Sequence, residues 1–152
     1  MDNQNFTVSF SVDQTPKEAF DAINNVRGWW TENLKGGTQK PNEDFEVRFG
    51  DVHYSKQRII EIVPEKKVAW LVTDSQLNFV KEKSEWTNTK ISFDITIHNN
   101  KTQIRFTHFG LAPGIECYRD CSNAWNYYIN SLRNLIMTGV GQPEPRESMI
   151  KT

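Results

Sequence analysis

The segment from Cys117 to Ile136 constrains the fold of this chain more than any other. Its apolar residues fall at Tyr118, Cys121, Trp125, Tyr128, Leu132 and Leu135, in steps of three, four, three, four and three. That rhythm places all six on one face of an α-helix. At 1.5 Å per residue such a helix is roughly 30 Å long. Almost everything before it alternates with the period of two that marks β-strands. A single long, aromatic-faced helix after a run of strands needs a sheet that curves around it. That layout leaves room for a cavity between sheet and helix.

Phe6, Val8, Phe10 and Val12 alternate with Thr7, Ser9 and Ser11, which predicts a half-buried first strand. Thr15-Pro16-Lys17-Glu18 follows, with Thr15 as cap, Pro16 at the first helical position and Glu18 to complete a capping box. The helix then buries Ala19, Phe20 and Ile23. Gly28-Trp29-Trp30-Thr31-Glu32 reads as a second short helix, on which adjacent tryptophans cannot share a face. Strands are expected at Phe45–Phe49, Val52–Val63, Val68–Val72, Ile91–Ile97 and Thr102–Phe109. Asn99-Asn100 is a hairpin signal. Asp74–Glu85 reads as a charged loop that holds Leu77, Phe79 and Val80, either as a lid or as a short edge strand. Gly139 and Gly141 end the long helix, and Pro143 and Pro145 prevent its resumption. Hairpin-length connections imply an antiparallel sheet. The expectation is an α+β domain over residues 1–141, with a flexible C-terminal tail over 142–152.

Composition excludes more than it selects. A chain of 152 residues is long enough to bury a real core. With 18 basic and 19 acidic residues the net charge is −1, so no field is built to attract nucleic acid or an anionic membrane. No apolar run reaches the length of a membrane span, and the start MDNQNFTVSF has neither the basic region nor the apolar core of a secretion signal. A cytoplasmic location is the expectation. Cys117 and Cys121 stand four apart, a spacing that strains a disulfide within a helix, and no further Cys or His follows at zinc spacing. Both are read as reduced thiols. Neither a nucleophile elbow nor a phosphate-cradling glycine loop is present. No cofactor or metal is expected.

The chain resembles the helix-grip fold of the START-like, or SRPBCC, superfamily, which includes the birch-pollen-allergen fold. It is most similar to the branch named for the activator of the 90-kDa heat-shock protein ATPase, in a bacterial subgroup. The residues that carry this are Thr-Pro-Lys-Glu-Ala-Phe at 15–20, Gly28-Trp29-Trp30, Glu61-Ile62-Val63-Pro64 before Trp70, and Phe106-Thr107-His108-Phe109-Gly110-Leu111. Cys117, Cys121-Ser122, Ala124-Trp125, Tyr128 and Leu132 complete the set. The resemblance implies a curved antiparallel sheet of six to seven strands wrapped around the long C-terminal helix, with two short helices after the first strand. The superfamily includes lipid carriers, receptors, polyketide cyclases and chaperone activators, so the fold alone does not choose a function. The eukaryotic activator also has a separate N-terminal chaperone-binding domain, which this sequence is expected to lack.

The leading functional expectation is a non-enzymatic module that encloses a small apolar or aromatic molecule. Trp30, Trp70, Phe106, His108, Trp125 and Tyr128 are the expected lining, with His108 as its polar handle. The alternative reading of the same aromatics is a filled core. For His108 it is a structural histidine near the sheet end. His53 and His98 lie beside turns and are expected to be solvated. A chaperone-contacting protein is the alternative function, with Trp29 as the candidate for an exposed apolar patch. A polyketide cyclase or aromatase-like enzyme is the second alternative. It would use polar groups from Tyr54, Glu61, His108 and Tyr128.

Overall fold

The computed structural model describes residues 5–144. One sheet of seven antiparallel strands forms the body. The strands are β1 (Phe6–Val12), β2 (Leu34–Gly36), β3 (Asp44–Phe49), β4 (His53–Val63), β5 (Lys67–Leu77), β6 (Lys90–His98) and β7 (Lys101–Phe109). Their spatial order is β1-β7-β6-β5-β4-β3-β2. From β2 onward each strand pairs with its sequence neighbour, as short connections require. β1 alone crosses to the far edge, where it pairs with β7 from Phe6 opposite His108 to Val12 opposite Thr102. The helices are α1 (Pro16–Asn24) and α2 (Tyr118–Thr138), separated in sequence by the whole run from β2 to β7. This is the α+β helix-grip arrangement that the sequence implies.

Local chemistry explains the boundaries. Thr15 Oγ1 accepts the Glu18 amide at 3.1 Å, and the Thr15 amide donates to the Glu18 carboxylate at 2.9 Å, so the capping box that starts α1 is complete. Asn99 and Asn100 both take positive φ, 53° and 65°, and turn β6 into β7. Gly139 in left-handed geometry closes α2. Strand β2 lies between Glu32 and Phe45, where the sequence marked no strand. At three residues it is too short for alternation to reveal.

Gly28-Trp29-Trp30 does not form a second α-helix. A single 3-10 turn, Val26–Gly28, ends there, so the rotation of about 100° between helical neighbours does not apply. Both rings turn inward and stack at 6.1 Å and 14°. Trp29 is therefore fully buried, and the exposed patch assigned to it does not exist. Its indole donates to the Ile23 carbonyl at 3.1 Å. The Ser131 hydroxyl of α2 donates to the Trp29 carbonyl at 2.9 Å and pins the turn to the helix.

Helix α2 runs unbroken and buries Cys121, Ser122, Trp125, Ile129, Ser131, Leu132 and Ile136. The stripe is centred on Trp125, Ile129 and Leu132, with Tyr128 and Leu135 half-buried at its margins. Residues 142–144, assigned to a tail from the sequence, bond back onto the domain. The Glu144 amide donates to the Trp30 carbonyl at 2.9 Å, and the Gln142 amide donates to Ser131 Oγ at 2.6 Å. The rest of that tail, 145–152, lies outside the described residues. Among the described residues no helix is long and apolar enough to cross a membrane.

Trp125 is 2 % exposed and packs on Trp30, Trp86 and Phe106. Trp125→Ala is expected to lower stability by about 3–5 kcal/mol through the cavity it leaves. Urea unfolding monitored by circular dichroism measures this, and a midpoint equal to that of the parent would contradict the packing described.

Candidate functional site

All five tryptophans of the chain fall in one cluster. Trp29, Trp30 and Trp70 lie nearly parallel, with Trp30 and Trp70 at 5.9 Å and 10°. Trp86 stacks on Trp125 at 5.7 Å and 8°, and Trp30 joins the two groups, 4.9 Å from Trp125 and 6.4 Å from Trp86. Phe45, Phe93 and Phe106 fill the edges.

A cavity of about 220 Å³ opens at one end of this cluster. Trp30, Trp86 and Trp125 form its floor and walls. Phe49 and His53 come from the strand ends at the β3–β4 turn, with Val52 between them in sequence. Phe79 comes from the β5–β6 loop, and Asp120, Cys121, Ala124 and Tyr128 from the first turns of α2. Val52 and Phe79 are exposed at 53 % and 41 %, at the rim. For scale, an apolar cavity of about 150 Å³ holds benzene. This one has room for a ring with substituents or a small fused pair.

Three of the six expected lining residues, Trp30, Trp125 and Tyr128, are on the wall. Trp70 and Phe106 lie deeper, in the filled core. His108 is fully buried, and both its ring nitrogens are engaged. Trp125 Nε1–H donates to His108 Nδ1 at 3.0 Å, and His108 Nε2 meets Thr89 Oγ1 at 2.8 Å. Because Nδ1 accepts, Nε2 carries the proton and donates to Thr89. Thr89 Oγ1 in turn donates to the Trp86 carbonyl. The histidine thus acts as a strut for the tryptophan cluster and leaves no polar handle for a ligand. Gly110 makes room for this: its φ is 99°, and a Cβ there would lie 2.8 Å from Thr89 Cγ2.

Beyond Trp30, Trp125 and Tyr128, the wall includes Trp86, Phe49, Val52 and His53, none of which the sequence marked as lining. Trp86 is 3 % exposed although it sits in the polar run KEKSEWTNT. A lone tryptophan among charges was the available signal. His53, expected to be solvated, is half-buried against Trp30, Phe49 and Trp86. Its Nε2 lies 2.9 Å from Ser55 Oγ. Burial pushes the pKa of His53 down to about 3, so the ring is neutral. His98 is exposed, as expected.

The polar groups that an enzymatic reading would recruit do not converge here. Glu61 faces solvent and pairs with Lys67 at 3.4 Å, because a register shift between Ile59 and Glu61 turns it outward. Tyr54 lies under the Arg48 guanidinium at 4.6 Å, away from the cavity wall. The Tyr128 hydroxyl donates to Glu144 at 3.4 Å, and burial, with the Glu144 carboxylate second, pushes its phenol up. Cys117 and Cys121 are free thiols. A hydrogen bond with Cys117, then burial, pushes the Cys121 thiol up, so it remains protonated and is a poor nucleophile. Among the described residues no group of three or more His, Cys, Asp or Glu is placed to hold a metal ion.

The β5–β6 loop is fastened to the start of α2. Cys117, the helix cap, contributes no side-chain bond. Glu85 does so instead, accepting the Glu116 amide at 2.7 Å and the Cys117 amide at 3.0 Å. A carboxylate there also meets the positive end of the helix dipole. Glu116 returns a bond by accepting the Lys81 amide at 3.0 Å.

Burial, with nearby His53 second, pushes the pKa of His108 down to about 3. The unfolded chain therefore binds more protons than the folded one between about pH 6.5 and 3. The stability from neutral His108 is complete above about 6.5 and is lost progressively as the pH falls toward 3. The unfolding free energy from urea titrations is expected to drop steadily from pH 6.5 to 4, by up to ~1.4 kcal/mol per pH unit for this histidine. His108→Asn should remove this histidine's share of the slope and leave that of His53, whose pKa burial lowers in the same way. An equal slope in the variant would show that the strut is not the titrating group.

The fold has well-defined relatives among solved structures. The solution structure of the Aha1 dimer from Colwellia psychrerythraea matches with a TM-score of 0.72 at 22% identity, over 90% of this chain and 98% of that one. Protein MLL2253 from Mesorhizobium loti matches at 0.70 and 13% identity, over 88% of this chain and 96% of that one. DynU16, from the dynemicin biosynthetic locus, matches at 0.66 and 15% identity, over 95% of this chain and 52% of its own. These likenesses concern the fold. No curated protein matches the sequence. The sequence model of one family covers residues 15–137, from the cap of α1 to the last turn of α2, and the chain belongs to that family, the Activator of Hsp90 ATPase homolog 1-like (AHSA1) proteins.

Proposed function

We propose that this protein binds a small apolar or aromatic molecule in the cavity between α2, the β3–β4 turn and the β5–β6 loop, and that it does so without catalysing a reaction on it. The observation that carries this is the wall itself. Trp30, Phe49, Trp86, Trp125 and Tyr128 surround about 220 Å³ beside a core that is otherwise filled. Concave sites lined by aromatic side chains with few polar groups are the usual form of small-molecule sites. The volume of about 220 Å³ is below the usual ~300–1,000 Å³ of such sites, which favours one or two rings over a lipid chain.

A chaperone contact is the second reading, and the family description supports it. Its anchor in the sequence, Trp29, is buried. The exposed apolar groups near the cavity are Val52 and Phe79, which also form its rim. The DynU16 likeness keeps the aromatic-substrate reading in view, but Glu61 and Tyr54 lie off the wall such an enzyme would use.

A panel of one- and two-ring compounds tests the binding reading by thermal shift and tryptophan fluorescence. A ligand at 100 times its Kd is expected to stabilise the fold by about 2.7 kcal/mol. Ala124→Phe, at an exposed helix position on the cavity wall, should abolish the shift while the unliganded protein melts within a few degrees of the parent. No shift with any compound would sink the reading and leave the chaperone contact as the better one.

A further inference from the structure

We infer that the open edge of β1 is a self-association surface: two copies of this chain pair their β1 strands antiparallel about a two-fold axis at Ser9 and join their sheets into one. No residue of β1 lines the cavity, so this inference stands apart from the binding function proposed above.

The register shows which backbone groups face that edge. In an antiparallel ladder the N–H and C=O of successive residues point alternately to the two sides. The Ile95 amide of β6 donates to the Lys66 carbonyl, toward β5, so Asp94 is turned the other way, toward β7. Asp94 stands opposite Arg105, whose backbone therefore faces β6, and Ile104 and Phe106 face β1. Val8 stands opposite Phe106 and Phe10 opposite Ile104, so these residues hold the β1–β7 ladder. Thr7, Ser9 and Ser11 turn their N–H and C=O to the open edge. All three are exposed, and no backbone hydrogen bond reaches these groups among the described residues.

The two edges of the sheet are treated differently. At the far edge β2 has only three residues, the Arg27 guanidinium donates to the Leu34 carbonyl at 2.7 Å, and Glu144 bridges to Thr31 just before the strand. β1 has seven residues, no charged side chain, no proline and no bulge. Short length, charge, proline and bulges are the devices that keep an edge from pairing, and β1 has none of them.

The sequence of β1 selects a second copy as the occupant. Antiparallel pairing centred on Ser9 sets Thr7 against the partner's Ser11 and Ser9 against the partner's Ser9, so every edge-facing residue meets another. On the inner face Val8 meets the partner's Phe10, and Phe6 meets the partner's Val12. Hydroxyls thus stay on the outer face and apolar groups on the inner one, where Val8 and Phe10 are half-buried in the single chain. Such a contact is isologous and closes at two copies. A net charge of −1 offers little repulsion against it. Edge pairing alone buries a small area, so the dimer is weak and depends on concentration.

Sedimentation velocity and amide hydrogen exchange on the intact protein test this, over concentrations reaching millimolar. A monomer–dimer equilibrium is expected, with the Thr7, Ser9 and Ser11 amides gaining protection as dimer forms. Ser9→Pro removes an N–H that the β1–β7 ladder does not use. It should raise the dimer Kd by roughly 5- to 150-fold, the range for the two hydrogen bonds lost across the axis. Thr7→Lys with Ser11→Lys places like charges opposite each other and should weaken the dimer, whereas Thr7→Glu with Ser11→Lys should tighten it. These two double variants and the amide exchange decide if Ser9→Pro does not fold. A monomer at every concentration overturns the inference, and species larger than a dimer overturn the two-fold pairing. A dimer in which the three amides exchange freely, or whose Kd is the same in both double variants, overturns β1 as the contact.

Discussion

A closed circuit of contacts holds this molecule together. The Trp125 indole donates to His108, His108 to Thr89, and Thr89 to the carbonyl of Trp86, whose ring stacks back on Trp125. Four residues from α2, β7 and the β5–β6 loop are thereby fixed in one arrangement. Each hydrogen bond is buried or part-buried, where a missing partner costs more than a formed bond returns. The circuit sets the tautomer of His108, the rotamer of Trp125 and the position of the loop together. Trp86 is gripped edgewise by two neutral imidazoles, His53 at 4.7 Å and His108 at 4.8 Å. A positive charge on either would enter an aromatic interior without a counter-ion, and desolvation keeps both neutral.

The cavity follows from the same circuit. Trp30, Trp70 and Trp29 fill the space between sheet and helix on one side of Trp125. On the other side Trp86 occupies the layer, and beyond it the aromatic packing stops at Phe49, His53 and Tyr128. The opening is the margin of a well-packed core, walled by rings already held by other rings. Such a wall is preorganised, so a ligand spends little on ordering it.

Much of the fold was legible in the sequence because its signals are local and periodic. The capping box at Thr15, the paired asparagines at 99 and 100, and the alternation in β1, β6 and β7 each report one element without reference to the rest. The spacing of α2 found its length and its central residues Trp125 and Leu132. Tertiary packing decided what local pattern could not. Trp29 and Trp30 look incompatible on a helix and are both buried because the turn at Gly28 is not one. Half of the expected lining was on the wall. Trp70, Phe106 and His108 lie on inward strand faces, as alternation indicated, but on β5 and β7 those side chains are covered by other rings, whereas the cavity opens beside the β3–β4 turn. Trp86 and His53 reach the site from a loop and a strand start, where periodicity carries no information.

The loop that contributes Trp86 also contributes Glu85, and that adjacency links the cavity to the helix. Glu85 bonds the amides of Glu116 and Cys117 at the start of α2, while the next residue's ring closes the cavity wall. Cys121 and Asp120, on the first turns of the same helix, form the opposite side. A motion of the β5–β6 loop as a body away from α2 would draw Glu85 from the helix end or tilt Trp86 off Trp125. The first gives up two charge-assisted hydrogen bonds, and the second breaks the stack and pulls on Thr89 and His108. The position of the loop wall of the cavity is therefore coupled to the helix N-terminus.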